Sequence, residues 1–339
     1  MKIAYLLASS ALSGGAKVVF QQAEELARRG HRVTVVSPDP PPDWFPVERA
    51  AWERSDLALS RAVAESDVAV ATFWTTVAPA VARAGGAVFH LCQGYEASFG
   101  AYADRREEIV AAYRLPARKL ALTPHLARVL REAGHGEALV IGQAFEAGDF
   151  ARPPRRRPPP LSVLLPGIDE GEIKGVREAL AALAALRARG ASFRLLRVSA
   201  EPVSRWEREL GVSDEYHRGV LPERMPFLYA RADVFLGPSH AEEGFDLPAL
   251  EAIASGLPAA LSDTPAHRHS AGEAAVYFPA GDASAIAGAV ETLLSDAAER
   301  ERLARLGPPR AASFRTADVA DRLEEFFAAA ARERRGAAR

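Results

Sequence analysis

The chain has 339 residues, 48% hydrophobic and 25% charged, with a formal net charge of −2 and a single cysteine, Cys92. That length exceeds one ordinary core and suits two domains, and the near-zero net charge excludes a bulk attraction to nucleic acid. A lone cysteine excludes an internal disulfide and fits a reducing compartment.

The opening "MKIAYLLASSALSGGAKVVF" offers only Lys2 as a basic flank, and Ser9, Ser10 and Ser13 interrupt its apolar run. It reads as a strand and turn, not a leader peptide. No run approaches ~18 uninterrupted apolar residues, so a soluble cytoplasmic protein is expected, with peripheral attachment at the inner face of a membrane left open. In chain order the pattern predicts "KIAYLLA" as strand, a helix from Gly15 to Arg29, "HRVTVVS" as strand and a helix near Leu57 to Glu65. Strand "DVAVAT", a helix near Val77 to Arg83 and strand "AVFHLC" follow, with His90 read as ending its "AVFH" portion. Continuously apolar strands alternating with amphipathic helices are what a parallel sheet covered on both faces requires, so the fold class is α/β and doubly wound.

The alternation breaks at "ARPPRRRPPP", residues 151–160, where prolines remove backbone donors and favour extended geometry, as in a semi-rigid linker. It then restarts with "LSVLLPG", a helix near Val176 to Arg189, "SFRLLRV", "ADVFLGP", a helix from about Pro248, "LPAALSD" and "AAVYFPA". Helices near Ala283 to Leu294 and Ala297 to Leu306 come next. The expected domains are residues 1–150 and 151–312, with a cleft between them. A last helix within 313–339 carries Val319, Leu323, Phe326 and Phe327 at helical spacing and would cross back to the first domain.

The segment "HAEEGFDLPALEAIASGLPAALSD", residues 240–263, stands out. It leaves the carboxyl end of a predicted strand, where ligands sit in open α/β sheets. Asp246 is a candidate N-cap and Pro248 suits the first turn, so free amides of the helix start would face an anion. Glu243 and Glu251 have two readings: a solvated loop acid and a first-turn carboxylate favoured by the helix dipole, or two acceptors for the hydroxyls of a sugar and a ribose. Gly244 leaves room for close approach.

This segment resembles the E-x7-E donor signature of retaining glycosyltransferases of the GT-B fold, family 4, the group 1 glycosyltransferases. The likeness extends through "HRGVLPERMPFLYARADVFLGPS", "EAAVYFPAGDASAIAGAVETLL" and "FRTADVADRLEEFF". It implies two Rossmann-like domains facing a cleft and transfer of a sugar from a nucleotide-diphosphate sugar, with retention, to a glycan, lipid-linked or small-molecule acceptor. It implies neither metal nor cofactor. Glu243 would hold donor-sugar hydroxyls and Glu251 the ribose, with Gly244, Phe245, Asp246 and Leu247 near the diphosphate and sugar. Lys174 in "EIKGVREAL" matches the family's diphosphate lysine, whereas Ile168 stands where an arginine is expected, so that either Arg177, Arg197 or another cation substitutes or catalysis is weakened. In the first domain Gly14 and Gly15 would let the backbone approach phosphates or acceptor, and His90 would approach the sugar. "QGYE" adds Gln93, Tyr95 and Glu96 as cleft candidates, while Cys92 reads as a small core hydrophobe. Two alternatives remain: a catalytically weak GT-B homologue acting as a nucleotide-binding or partner subunit, and a sugar-nucleotide epimerase.

Overall fold

Each apolar run becomes a parallel strand because helices cover both faces of the sheet it joins. The computed structural model describes residues 1–151, 158–169 and 172–337, so residues 152–157 of the expected linker lie outside it. The chain divides into two compact units, Met1–Phe145 together with Phe314–Arg339, and Glu146–Ser313. The first segment therefore closes at Phe145, ahead of the proline run, not at residue 150.

The first unit contains β1 (Lys2–Leu6), α1 (Gly14–Arg28), β2 (Arg32–Ser37), β3 (Ala51–Arg54), α2 (Arg61–Ala64) and β4 (Val68–Ala71). It continues with α3 (Trp74–Arg83), β5 (Ala87–Cys92), α4 (Arg106–Arg114), β6 (Arg118–Ala121), α5 (Pro124–Glu132) and β7 (Ala138–Val140). The sheet order is β3-β2-β1-β4-β5-β6-β7, parallel throughout, with Ile3 paired to Val33 on one side and to Val68 on the other. The helix expected from Leu57 begins at Arg61, because Ser60 is its N-cap and accepts from the Val63 amide.

The second unit contains β8 (Leu161–Pro166), α6 (Val176–Ala188), β9 (Phe193–Ser199), α7 (Arg205–Leu210), β10 (Glu215–Arg218), α8 (Met225–Tyr229) and β11 (Val234–Gly237). After these come α9 (Leu247–Ala254), β12 (Ala259–Ser262), α10 (Pro265–Ala271), β13 (Ala275–Phe278), α11 (Ala283–Ser295) and α12 (Ala297–Ala311). Its sheet runs β10-β9-β8-β11-β12-β13, again all parallel. Helix α12 continues past Leu306 through Pro308 and Pro309, and Gly307 lies so close to α9 that a Cβ there would come within 2.5 Å of the Ile253 carbonyl oxygen.

Helix α13 (Thr316–Ala337) completes the first unit. Phe327 is fully buried with its ring 4.9 Å from that of Phe89, and Arg29 binds both Asp321 at 2.5 Å and Glu324 at 2.8 Å. Among the described residues no helix is long and apolar enough to cross a membrane.

The strand order of each sheet reverses once, between β1 and β4 and between β8 and β11. Loops leaving the carboxyl ends of such neighbouring strands diverge to opposite faces and leave a crevice, the usual ligand position in this architecture.

Candidate functional site

In the second unit the crevice is built by the loop from β8 to α6 and the loop from β11 to α9. Two backbone features clamp these loops together. The His240 amide donates to the Ile173 carbonyl at 2.8 Å. Gly175, at φ 59°, sits where a Cβ would lie 2.2 Å from the Pro238 carbonyl oxygen, so only glycine allows the approach.

The clamp brings Lys174 to the acidic loop. Its ammonium lies 2.6 Å from Glu243 Oε2 and 3.8 Å from Asp246 Oδ1, with the lysine side chain 30% exposed and the glutamate 13%. Glu242 next door points to solvent, whereas Glu243 turns inward. The solvated-acid reading of Glu243 therefore fails. Burial works against the Lys174 ammonium, but Glu243 and Asp246 outweigh it and raise its pKa. Burial raises that of Glu243, while Asp246, despite its own burial, is held low by Lys174 and His267.

Asp246 occupies the N-cap position of α9 but its side chain does not cap the helix. It turns under the loop instead, accepting from His267 Nε2 at 3.0 Å and from Ser239 Oγ at 3.4 Å. His267 is itself fully buried, with Nδ1 3.0 Å from Ser262 Oγ, and Ser262 donates to the Ser239 carbonyl. An inner layer thus fixes the loop from below, and the amides at the start of α9 keep no side-chain acceptor of their own N-cap residue. Gly244, Phe245, Asp246 and Leu247 are all buried along this loop.

Glu251 lies beyond the first turn of α9, which holds no acid, so the dipole explanation does not apply to it. It is buried, and the Tyr229 hydroxyl donates to its Oε2 at 2.8 Å.

Neither proposed substitute for the missing arginine is clearly placed to serve. Arg197 is wholly buried and paired with Glu207 through Nε at 2.8 Å and Nη2 at 3.2 Å, and it donates to the carbonyls of Leu165 and Gly167. It is a strut under the end of β8. Arg177 donates to the Asp169 carbonyl at 3.1 Å and stacks over Trp206, leaving an exposed residue at the start of α6. Ile168 is half-buried.

In the first unit Gly14 and Gly15 open α1, whose N-cap Ser13 accepts from the Ala16 amide at 3.1 Å. Gln93 donates to the Gly15 carbonyl at 3.0 Å. His90 requires a correction. Strand β5 runs on to Cys92, so His90 lies inside it, fully buried against Tyr113 with ring centroids 4.5 Å apart. Burial, then Lys119 and His135, push its pKa down to about 3, and the ring is a neutral core group. Glu96 is also buried, accepts from Tyr113, and is pushed up to about 7 by burial. Cys92 is buried, as a core hydrophobe would be.

Residues 161–296, most of the second unit, match the family model described as glycosyl transferases group 1. The second unit carries a group 1 glycosyltransferase domain. The glycosyltransferase fold of the whole chain is GT-B, shared with solved structures at low identity. Anabaena HepE in complex with UDP-glucose aligns with TM-score 0.79 at 16% identity, covering 97% of this chain and 100% of that one. Sucrose-phosphate synthase of Thermosynechococcus elongatus aligns with TM-score 0.74 at 18% identity, over 96% of this chain and 98% of that one. WaaG, a glycosyltransferase involved in lipopolysaccharide biosynthesis, gives 0.68 at 15%, over 96% and 99%. By sequence, 109 residues, 32% of this chain, are 34% identical to O-antigen chain mannosyltransferase B of Escherichia coli and span 26% of that relative.

The crevice of the glycosyltransferase domain thus gathers Lys174, Glu243 and Asp246, with Glu251 deeper on α9. Sequence reasoning missed Tyr229, His267, Ser239 and Ser262. The "TP" at 264–265 signals a helix start that would have put His267 in a first turn.

Proposed function

We propose that the chain transfers a sugar from a nucleoside-diphosphate sugar to a hydroxyl acceptor, with retention at the anomeric carbon and without a resident metal. The observation that carries the reading is the Lys174–Glu243–Asp246 cluster at the β8/β11 switch point of a group 1 glycosyltransferase domain. A cation beside uncapped helix amides suits a diphosphate, and a carboxylate next to it suits sugar hydroxyls.

In the reaction the bond from the anomeric carbon to the β-phosphate oxygen breaks and its electron pair leaves with the diphosphate. Lys174 and the α9 amides stabilise that developing charge. The acceptor oxygen forms the new bond on the same face, and its proton passes to the departing oxygen. Glu243 orients the sugar and Glu251 the ribose. His90, buried inside β5, takes no part.

HepE, solved with UDP-glucose, makes uridine the first base to try. The acceptor class stays as broad as a glycan, a lipid-linked sugar or a small molecule. Calorimetry with UDP, GDP and ADP, then release of label from the matching radiolabelled donors with and without EDTA, tests the reading. Binding of one diphosphate and EDTA-insensitive turnover to a product with the donor's anomeric configuration are expected. Binding of none sinks it. Ile168 favours a second reading, a nucleotide-binding subunit without turnover, which binding without any label release would support.

A further inference from the structure

Tyr229 closes α8 and is fully buried, its ring 6.0 Å from Phe150 and 6.2 Å from Phe235. A phenol in such a place needs a partner for its hydroxyl, because burying an unpaired O–H is costly. That partner is Glu251 Oε2 at 2.8 Å. Glu251 is on a different helix, α9, and this bond restrains the terminal torsion of its carboxylate, a torsion that is intrinsically broad. Burial holds the Tyr229 hydroxyl well above its ordinary pKa, so it remains a proton donor.

We propose that Tyr229 is the positioning residue of the ribose site: its hydroxyl fixes the plane of the Glu251 carboxylate and thereby sets how well the site distinguishes ribose from deoxyribose. The inference rests on the reading of Glu251 as the ribose ligand. The chemistry favours this pair over the other buried network. His267 and Asp246 hold the loop that carries the cation, whereas Tyr229 holds a group whose own task is to accept from hydroxyls. Discrimination is a difference between two ligands that share every other contact, so general loosening of the fold does not produce its loss.

The test titrates wild type, Tyr229→Phe, Glu251→Gln and the double variant with whichever of UDP, GDP and ADP binds wild type tightest, and with its 2′-deoxy form. Phe150→Leu disturbs the same cluster without touching the hydroxyl. Wild type should favour the ribonucleotide by roughly tenfold, the lower end of the scale of one hydrogen bond to a charged group, and Tyr229→Phe should bring this to about threefold or less. Glu251→Gln should do the same, and adding Tyr229→Phe to it should change little, because both act through one carboxylate. Phe150→Leu should keep the wild-type ratio even if its melting temperature falls. Full discrimination in Tyr229→Phe, or simple additivity in the double variant, overturns the proposal while leaving the donor reading intact. A wild type that binds a diphosphate but favours neither sugar overturns it together with the role of Glu251. A wild type that binds no diphosphate removes the donor reading itself and this proposal with it.

Discussion

Replacing Glu243 by glutamine should tighten the binding of a nucleoside diphosphate. Lys174 is held by Glu243 at 2.6 Å, with Asp246 at 3.8 Å as a second anion. A diphosphate that takes the ammonium must break this contact or sit beside a carboxylate of its own sign. Two unit charges about 4 Å apart interact by about 4 kcal/mol at an effective dielectric constant of about 20, as a gross figure. The lysine side chain is 30% exposed, so solvent screening lowers that considerably. A hydrogen bond to a charged group contributes about 1.5–3 kcal/mol net, and glutamine retains part of it through its amide oxygen. The remaining gain is about 1 kcal/mol, or roughly a fivefold fall in Kd. Asp246 stays in place to keep the lysine protonated. Titration calorimetry of wild type and Glu243→Gln with UDP at low and high salt measures it, and the gain should shrink as salt rises. Sugar transfer should fall in the same variant, because the neutral amide is a poorer acceptor for hydroxyls. Unchanged or weaker UDP binding in a folded Glu243→Gln protein would refute the idea that Glu243 competes with phosphate for Lys174.

Lys174→Ala should weaken diphosphate binding by roughly tenfold to a hundredfold and leave the free nucleoside unaffected, which calorimetry with UDP and uridine separates. Ile168→Arg should strengthen UDP binding if the loop lacks a guanidinium, whereas a loss on Arg177→Ala would show that Arg177 already supplies one; titration of both variants decides. Glu96, at about 7 in the folded chain against an ordinary 4.5, keeps a proton that the unfolded chain releases between those values. Stability should therefore fall as pH rises from about 4.5 to about 7, by about 3 kcal/mol from this group, and be flat above. Glu96→Gln should remove that slope, as read from urea midpoints in a Trp206→Phe background, where the remaining tryptophans lie in the first unit.

The alternation of strands and helices was legible because β1, β4, β11 and β12 are buried along nearly their whole length, so burial on both faces leaves an unbroken apolar run. The edge strands β3 and β10 lack that mark. β3 reads "AWER" and β10 "EYHR", half-exposed segments whose polar residues match no simple period. The acids of the site were legible through their spacing and resemblance, but their partners were not. Nothing in the sequence tells that Lys174 is paired with Glu243, since a fold-dependent clamp at Gly175 and His240 brings them together. Asp246 misled for a related reason: its position has the backbone of an N-cap, and a buried histidine from α10 outcompetes the helix amides for its side chain. His90 misled because the resemblance set it at the rim as a strand-end histidine, whereas β5 runs on to Cys92 and keeps the ring in the interior.

Helix α13 belongs to a unit whose other residues end at Phe145. During synthesis the continuous second unit can therefore finish folding while the first still lacks a wall. Until the last helix emerges, Phe89 has no Phe327 against it, and Arg29 has neither Asp321 nor Glu324. A chimera that exchanges the first unit between related chains must carry residues 314–337 with it, although the whole second unit separates them from Phe145 in the sequence. A deletion within residues 316–337 is in effect a change to the unit that begins at Met1.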